Sequence, residues 1–137
     1  MILQPRIGAY RECGILLVDD QPAVRQGLRL LLELETRVIV LGEAGTAAEA
    51  LTLAADLRPD VVIMDVEMPG MDGIEATALL VAMLPQCSVI ILTINDSSAT
   101  RVRAMAAGAR AFVEKGRPGE IENAVREFSG VLQREQK

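Results

Sequence analysis

Short apolar runs alternate with amphipathic stretches along most of the 137-residue chain. Residues 15–18 are apolar, end at Asp19-Asp20 and read as a first strand. Gln21-Pro22 then opens a helix, because proline suits the first turn. Its apolar positions Val24, Leu28, Leu31 and Leu32 recur at helical spacing, and it is expected to end near Glu35. Residues 38–41 form a second apolar run, followed by Gly42-Glu43-Ala44-Gly45 as a loop. Thr46 has the features of a helix N-cap, with Glu49 as its capping-box partner, and the helix over about 47–57 stops before Pro59. Residues 61–65, VVIMD, are too short for an isolated helix and rich in β-branched side chains, so they read as a buried strand.

The alternation continues to the end. A helix is expected over about 74–84, stopped by Pro85, and a strand over 89–92 that ends at Thr93. Ser97 or Ser98 caps a further helix running through Ala107, with Gly108 as its stop. Residues 111–113 make a short fifth strand, and Lys115 follows it. Pro118 opens a last helix with Ile121, Ala124, Val125, Phe128 and Leu132 on its apolar side. Five strand–helix units in strict alternation imply an α/β fold, with a parallel sheet, right-handed crossovers and helices on both faces. For a sheet of this size the expected strand order is 2-1-3-4-5. Residues 1–13 read as a lead-in, 14–132 as one domain and 133–137 as a polar tail. No internal repeat or interdomain linker interrupts the pattern.

Composition narrows the chemistry. Half the residues are hydrophobic but only 2% are aromatic, so the core is built from Val, Ile, Leu, Ala and Met. The net charge of −5 and the lack of a basic stripe argue against direct nucleic-acid contact. The longest apolar runs are well short of a membrane span. Cys13 and Cys87 lack metal-ligand spacing and read as reduced thiols of a cytoplasmic protein. Histidine is absent, which removes histidine general bases, Ser-His-Asp triads and most zinc sites.

Polar residues stand at four strand ends: Asp19-Asp20, Asp65, Thr93 and Lys115. In the order 2-1-3-4-5 these four strands are neighbours, so the residues converge on one edge centred on the third strand. Each has an ordinary explanation, as helix cap, turn former, strand-end hydroxyl or solvating charge. Four coincidences at four adjacent strand ends are improbable, and Lys115 is one of only two lysines against twelve arginines. Phosphoryl transfer to a carboxylate fits the set. Crowded carboxylates favour a hard cation, and Mg²⁺ takes one or two carboxylates together with waters and phosphate oxygens. Asp65 is then the nucleophile, while Lys115 and the Thr93 hydroxyl serve phosphoryl oxygens.

These residues carry a resemblance. ILLVDDQPAVRQGL, RPDVVIMDVEMPGMDGIEAT, VIILT and GARAFVEK resemble blocks of the response-regulator receiver domains of two-component signalling, over roughly residues 14–130. The text at 40–44, and glycine rather than proline after GARAFVEK, are most similar to the NarL-like subfamily. The resemblance implies a flavodoxin-like doubly wound (βα)5 fold. It also implies Asp65 as phosphoacceptor and Mg²⁺ held by Asp19, Asp20, Asp65 and the backbone carbonyl of Glu67. Thr93 and Lys115 would bind the phosphoryl group, and Phe112 would be the switch aromatic. The phosphodonor would be a sensor histidine kinase or phosphotransfer protein. The output would be a shifted surface of the fourth helix, fifth strand and fifth helix.

Departures from the family pattern qualify this. Ile94 stands where the family keeps a small residue, and is expected to slow access to Asp65. Ala78, Leu79, Val81 and Ala82 replace the arginines usual on the third helix, and are expected to form an apolar patch for a partner or for a second copy in a homodimer. The chain is expected to be either a stand-alone receiver or the N-terminal part of a NarL-like transcription regulator. Autophosphorylation and autodephosphorylation are its only expected catalysis, so it is not expected to be an enzyme in the metabolic sense. The alternative is a receiver-fold interaction module that is not phosphorylated. A haloacid-dehalogenase-like phosphatase would want an aspartate where Glu67 stands. A flavodoxin-like cofactor binder would want a hydroxyl-rich phosphate loop.

Overall fold

The computed structural model describes residues 12–94, 96–117 and 119–128. Five strands alternate with five helices among these residues: β1 (Cys13–Val18), α1 (Pro22–Leu32), β2 (Val38–Ala44), α2 (Ala47–Leu57), β3 (Val61–Asp65), α3 (Gly73–Met83), β4 (Ser88–Thr93), α4 (Ser98–Ala106), β5 (Ala111–Glu114) and α5 (Glu120–Phe128). All strand pairs are parallel and the order is β2-β1-β3-β4-β5, as expected.

Strand periodicity divides the core into two layers. Leu16, Val18, Val62, Met64, Val89 and Ile91 face one side, against α2, α3 and α4. Ile15, Leu17, Val61, Ile63, Ile90 and Leu92 face the other, against α1 and α5. Both sides are buried, which explains why these strands read as continuous apolar runs rather than as alternating ones. Helix α2 presents Ala47, Ala50 and Ala54 to the sheet, and these small side chains let it pack closely.

Several boundaries differ from expectation. β1 begins at Cys13, ahead of Ile15. β2 continues through Gly42 and Glu43 to Ala44 instead of ending at Leu41. A register shift opposite Ile15/Leu16 makes this continuation: the ladder skips one residue and then resumes, which is how a bulge lengthens a strand. Thr46 caps α2 by accepting the Glu49 N–H at 3.1 Å, but the Glu49 carboxylate accepts from Gly45 N–H rather than closing the expected box on Thr46. The complete capping box lies instead at α3, between Asp72 and Glu75. Of the two candidates for the α4 cap, Ser97 is used. Pro118, Leu132, the tail over 133–137 and most of the lead-in lie outside the described residues.

Candidate functional site

The carboxyl ends of β1 and β3 carry the acids. Asp19 directly follows β1, and its N–H extends the ladder by donating to the Ala44 carbonyl at 3.0 Å. Asp65 is the last residue of β3. Both are buried, at 1% and 4% exposure, while Asp20 is exposed. One carboxylate oxygen from each of the three lies within 4.8 Å of the others. Lys115, just past β5, closes the group: Nζ donates to Asp19 Oδ2 at 3.0 Å and lies 3.4 Å from Asp65 Oδ1. The Lys115 N–H donates to the Thr93 carbonyl at 2.8 Å, tying that residue to the end of β4. Thr93 itself is fully buried there.

Local structure around Asp65 depends on a glycine. Gly73 opens α3 and donates its N–H to the Val66 carbonyl at 2.9 Å. A Cβ on Gly73 would stand 1.9 Å from the Asp65 carbonyl oxygen. Only glycine lets the first turn of α3 fold back this closely, which fixes the loop beyond the phosphoacceptor candidate. The sign of this helix start in the sequence is the aspartate three residues before Glu75.

The electrostatics are those of crowding. Burial first, and then the charge of Asp19, push the Asp65 carboxyl up to about 6 from 3.8. Lys115 and the Glu67 backbone N–H oppose that rise without cancelling it. Burial pulls the Lys115 ammonium down, but its hydrogen bond to Asp19 and the charges of Asp65 and Asp19 outweigh this and raise it. One cation thus serves two carboxylates, with a third alongside. This donor set, all hard oxygen with net negative charge, fits a small divalent cation such as Mg²⁺.

The other predicted residues are placed as follows. Glu67 is exposed in the turn after β3. Phe112 is half-buried in β5, and the Arg101 guanidinium of α4 lies 4.6 Å from its ring centroid. Arg101 also donates to Asp96 at 3.1 Å. Ile94 follows β4 and is 67% exposed. On α3, Ala78, Leu79 and Ala82 are exposed, but Val81 is not on that face. It packs on the core and leaves only 3.1 Å between its methyls and a Cβ placed on Gly108. Helix phase could not be read there because α3 is apolar almost all round. Cys13 and Cys87 are buried and are not joined in a disulfide. Burial pushes the Cys87 thiol up to about 12, so it is no nucleophile.

Sequence reasoning missed a polar network beside Asp19. Arg25 of α1 donates from Nε to Glu43 Oε1 at 2.9 Å and from Nη1 to the Asp19 carbonyl at 2.5 Å. Arg29 donates from Nε to Glu43 Oε2 at 2.7 Å. The available sign was a lone acid in an apolar strand and two arginines four residues apart. Below Lys115, a cavity of about 500 Å³ opens between α1 and the β5–α5 loop, lined by Val24, Leu28, Leu31 and Ile121.

Comparison with known proteins agrees with this geometry. Residues 15–126 match the response regulator receiver domain family. The chain is 41% identical over 118 residues to the transcriptional regulatory protein LiaR of Bacillus subtilis, covering 84% of this chain and 55% of that protein. Among solved structures, it is similar to a LuxR-family two-component response regulator from Aurantimonas, with 34% identity, a TM-score of 0.82 and coverage of 90% of this chain and 94% of that one. It is equally similar in sequence, at 34%, to the receiver domain of the putative response regulator NarL from Mycobacterium tuberculosis, with a TM-score of 0.79 and coverage of 85% and 95%. The chain belongs to the response-regulator receiver domain family, and its relatives are NarL-like, LuxR-family regulators. It spans about half the length of the curated relatives it matches. Among the described residues, no helix is long and apolar enough to cross a membrane.

Proposed function

We propose that the chain is a phosphorylation-dependent signalling switch with Asp65 as its phosphoacceptor. The observation that carries this is the convergence of Asp19, Asp20, Asp65 and Lys115 at neighbouring strand ends, with Asp65 buried and within 3.4 Å of Lys115. The phosphodonor is a phosphohistidine on a sensor kinase or phosphotransfer protein. An Asp65 carboxylate oxygen forms the new O–P bond, the N–P bond of the donor breaks, and the electron pair leaves on the imidazole. Asp19, Asp20 and Asp65, with the Glu67 carbonyl, would hold Mg²⁺, which neutralises charge on the phosphoryl oxygens. Lys115 supplies a fixed ammonium to one phosphoryl oxygen, and the Thr93 hydroxyl donates to another.

The donor docks, on this reading, over the apolar cavity between α1 and the β5–α5 loop, because that cavity adjoins Lys115. Phosphorylation replaces the Asp65 carboxylate with a group carrying nearly two negative charges and new acceptor oxygens. Thr93 turns toward them, Phe112 fills the vacated space, and the α4–β5–α5 surface shifts in population. The chain turns over no small-molecule substrate, acts in the cytoplasm, and feeds transcriptional regulation, as the names of its relatives suggest. Ile94 slows the approach of donors and of water, so phosphorylation is slow and the phosphoryl group long-lived. Rates of phosphoryl gain and loss in Ile94→Ala that match those of the parent would remove that role.

The test is Mg²⁺-dependent phosphoryl incorporation from candidate kinases. Incorporation that Asp65→Asn abolishes supports the reading. Failure of every kinase and small phosphodonor to label the folded chain would favour an unphosphorylated interaction module.

A further inference from the structure

Asp19 is held at four points. Its N–H donates to the Ala44 carbonyl, Oδ1 accepts from the Gln21 N–H at 2.9 Å, and Oδ2 accepts from Lys115. The fourth point is its backbone carbonyl, which accepts from Arg25 Nη1. This carbonyl belongs to the peptide that joins Asp19 to Asp20, so its direction sets where the exposed Asp20 carboxylate stands. The Arg25 guanidinium is itself oriented. Nε is on Glu43, and Glu43 is gripped on its other oxygen by Arg29. The Arg29 hydrogen bond is the main cause that holds the Glu43 carboxyl below its ordinary value, against the opposing effect of burial. Gly45 lies beside this group: a Cβ there would stand 3.4 Å from Arg25 Nη1, an ordinary contact distance. The Arg25 side chain is only 18% exposed and Glu43 27%, so neither ion is a loose surface group.

We propose that Arg25 is a positioning residue for the acidic cradle, fixing the Asp19–Asp20 peptide from an anchor on Glu43 of β2, and so sets the affinity of the cradle for a divalent cation. The proposal rests on the reading of Asp19, Asp20 and Asp65 as the Mg²⁺ site. Arg25 touches neither the cation nor the phosphoryl group. It acts as outer groups around metal ligands do, by removing wrong orientations of the ligands it holds. The fork matters as much as the charge: a guanidinium donates in two fixed directions at once, toward Glu43 and toward the carbonyl, whereas an ammonium is a point charge.

The sign of the effect separates positioning from simple charge. Removing a cation beside an acidic site strengthens Mg²⁺ binding if only the field matters. If Arg25 positions the ligands, removing it weakens binding. Calorimetric titration of the 137-residue chain with Mg²⁺ at pH 8 is therefore expected to show about tenfold weaker binding in Arg25→Gln. Arg25→Lys should fall between that variant and the parent. Arg126→Gln, which breaks the ion pair to Glu35 past the C-terminal end of α1, serves as a control for lost stability and should leave Mg²⁺ affinity unchanged. Equal or tighter binding in Arg25→Gln would overturn the positioning role, as would an unchanged Arg25→Lys should the glutamine variant not fold. A parent chain that binds no Mg²⁺ would instead overturn the reading of the cradle itself.

Discussion

The acidic cradle and the α4–β5 surface lie side by side, yet they are built in opposite ways. Asp19 and Asp65 are almost fully buried, and the chain around them is held by ladder bonds, Lys115, Arg25 and the close approach of Gly73. Helix α4 buries only Ala104, while Val102 and Met105 are 67% and 46% exposed. Its tie to β5 includes the Arg101 guanidinium over the Phe112 ring. The cradle is thus rigid and electrically stressed, and the neighbouring helix is weakly anchored. Few buried contacts make local rearrangement cheap. On the proposed function, the cradle would place a phosphoryl group, which needs the first property, and the surface would report it, which needs the second.

The largest test of this contrast is Gly73→Ala. The added carbon would meet the Asp65 carbonyl at 1.9 Å, so a loss of about 3 kcal/mol or more is expected in urea unfolding. A near-neutral result would show that the cradle floor can give way.

Next is Asp65→Asn without Mg²⁺. The Asp65 carboxyl titrates near 6 in the folded chain and near 3.8 when unfolded. Between those values the folded state binds more protons, so its stability falls as pH rises. The asparagine variant is expected to be about 2 kcal/mol more stable than the parent at pH 8, with the gap closing by pH 4. Thermal melts at both pH values check this. A destabilised variant at pH 8 would mean that Lys115 outweighs the crowding.

Smaller effects belong to the other side. Arg101→Ala should cost about 0.5 kcal/mol yet raise amide exchange across α4 measurably; unchanged exchange would remove the Phe112 contact from the account. The smallest is Leu79→Glu, expected within about 0.5 kcal/mol of the parent because Leu79 is 48% exposed. If α3 also serves self-association, light scattering of the concentrated parent should show dimer that this variant loses.

Most of the fold was legible because burial on both sheet faces makes β1, β3 and β4 nearly uninterrupted apolar runs, and helix-capping or helix-breaking residues punctuate the segments between. The site was legible for a related reason: an acid, hydroxyl or lysine stands out at the end of such a run. What escaped were features set by tertiary contact. β2 outlasts its apolar text because a bulge keeps Gly42, Glu43 and Ala44 in register with β1. Val81 faces inward because Gly108 leaves room for it, and nothing along an almost wholly apolar helix reveals its phase. The network joining Arg25, Arg29 and Glu43 spans up to eighteen residues of sequence and depends on α1 lying over β2.

The central claim is that charge arriving at Asp65 leaves the cradle in place and moves the α4–β5 surface. Amide hydrogen exchange with and without Mg²⁺ and beryllofluoride, a mimic of a carboxylate-bound phosphoryl group, tests it most directly. The expected result is altered exchange through residues 98–114 with β1 and the first residues of β3 unchanged, and no response in Asp65→Asn. Equal changes in both regions, or a response that survives Asp65→Asn, would contradict it.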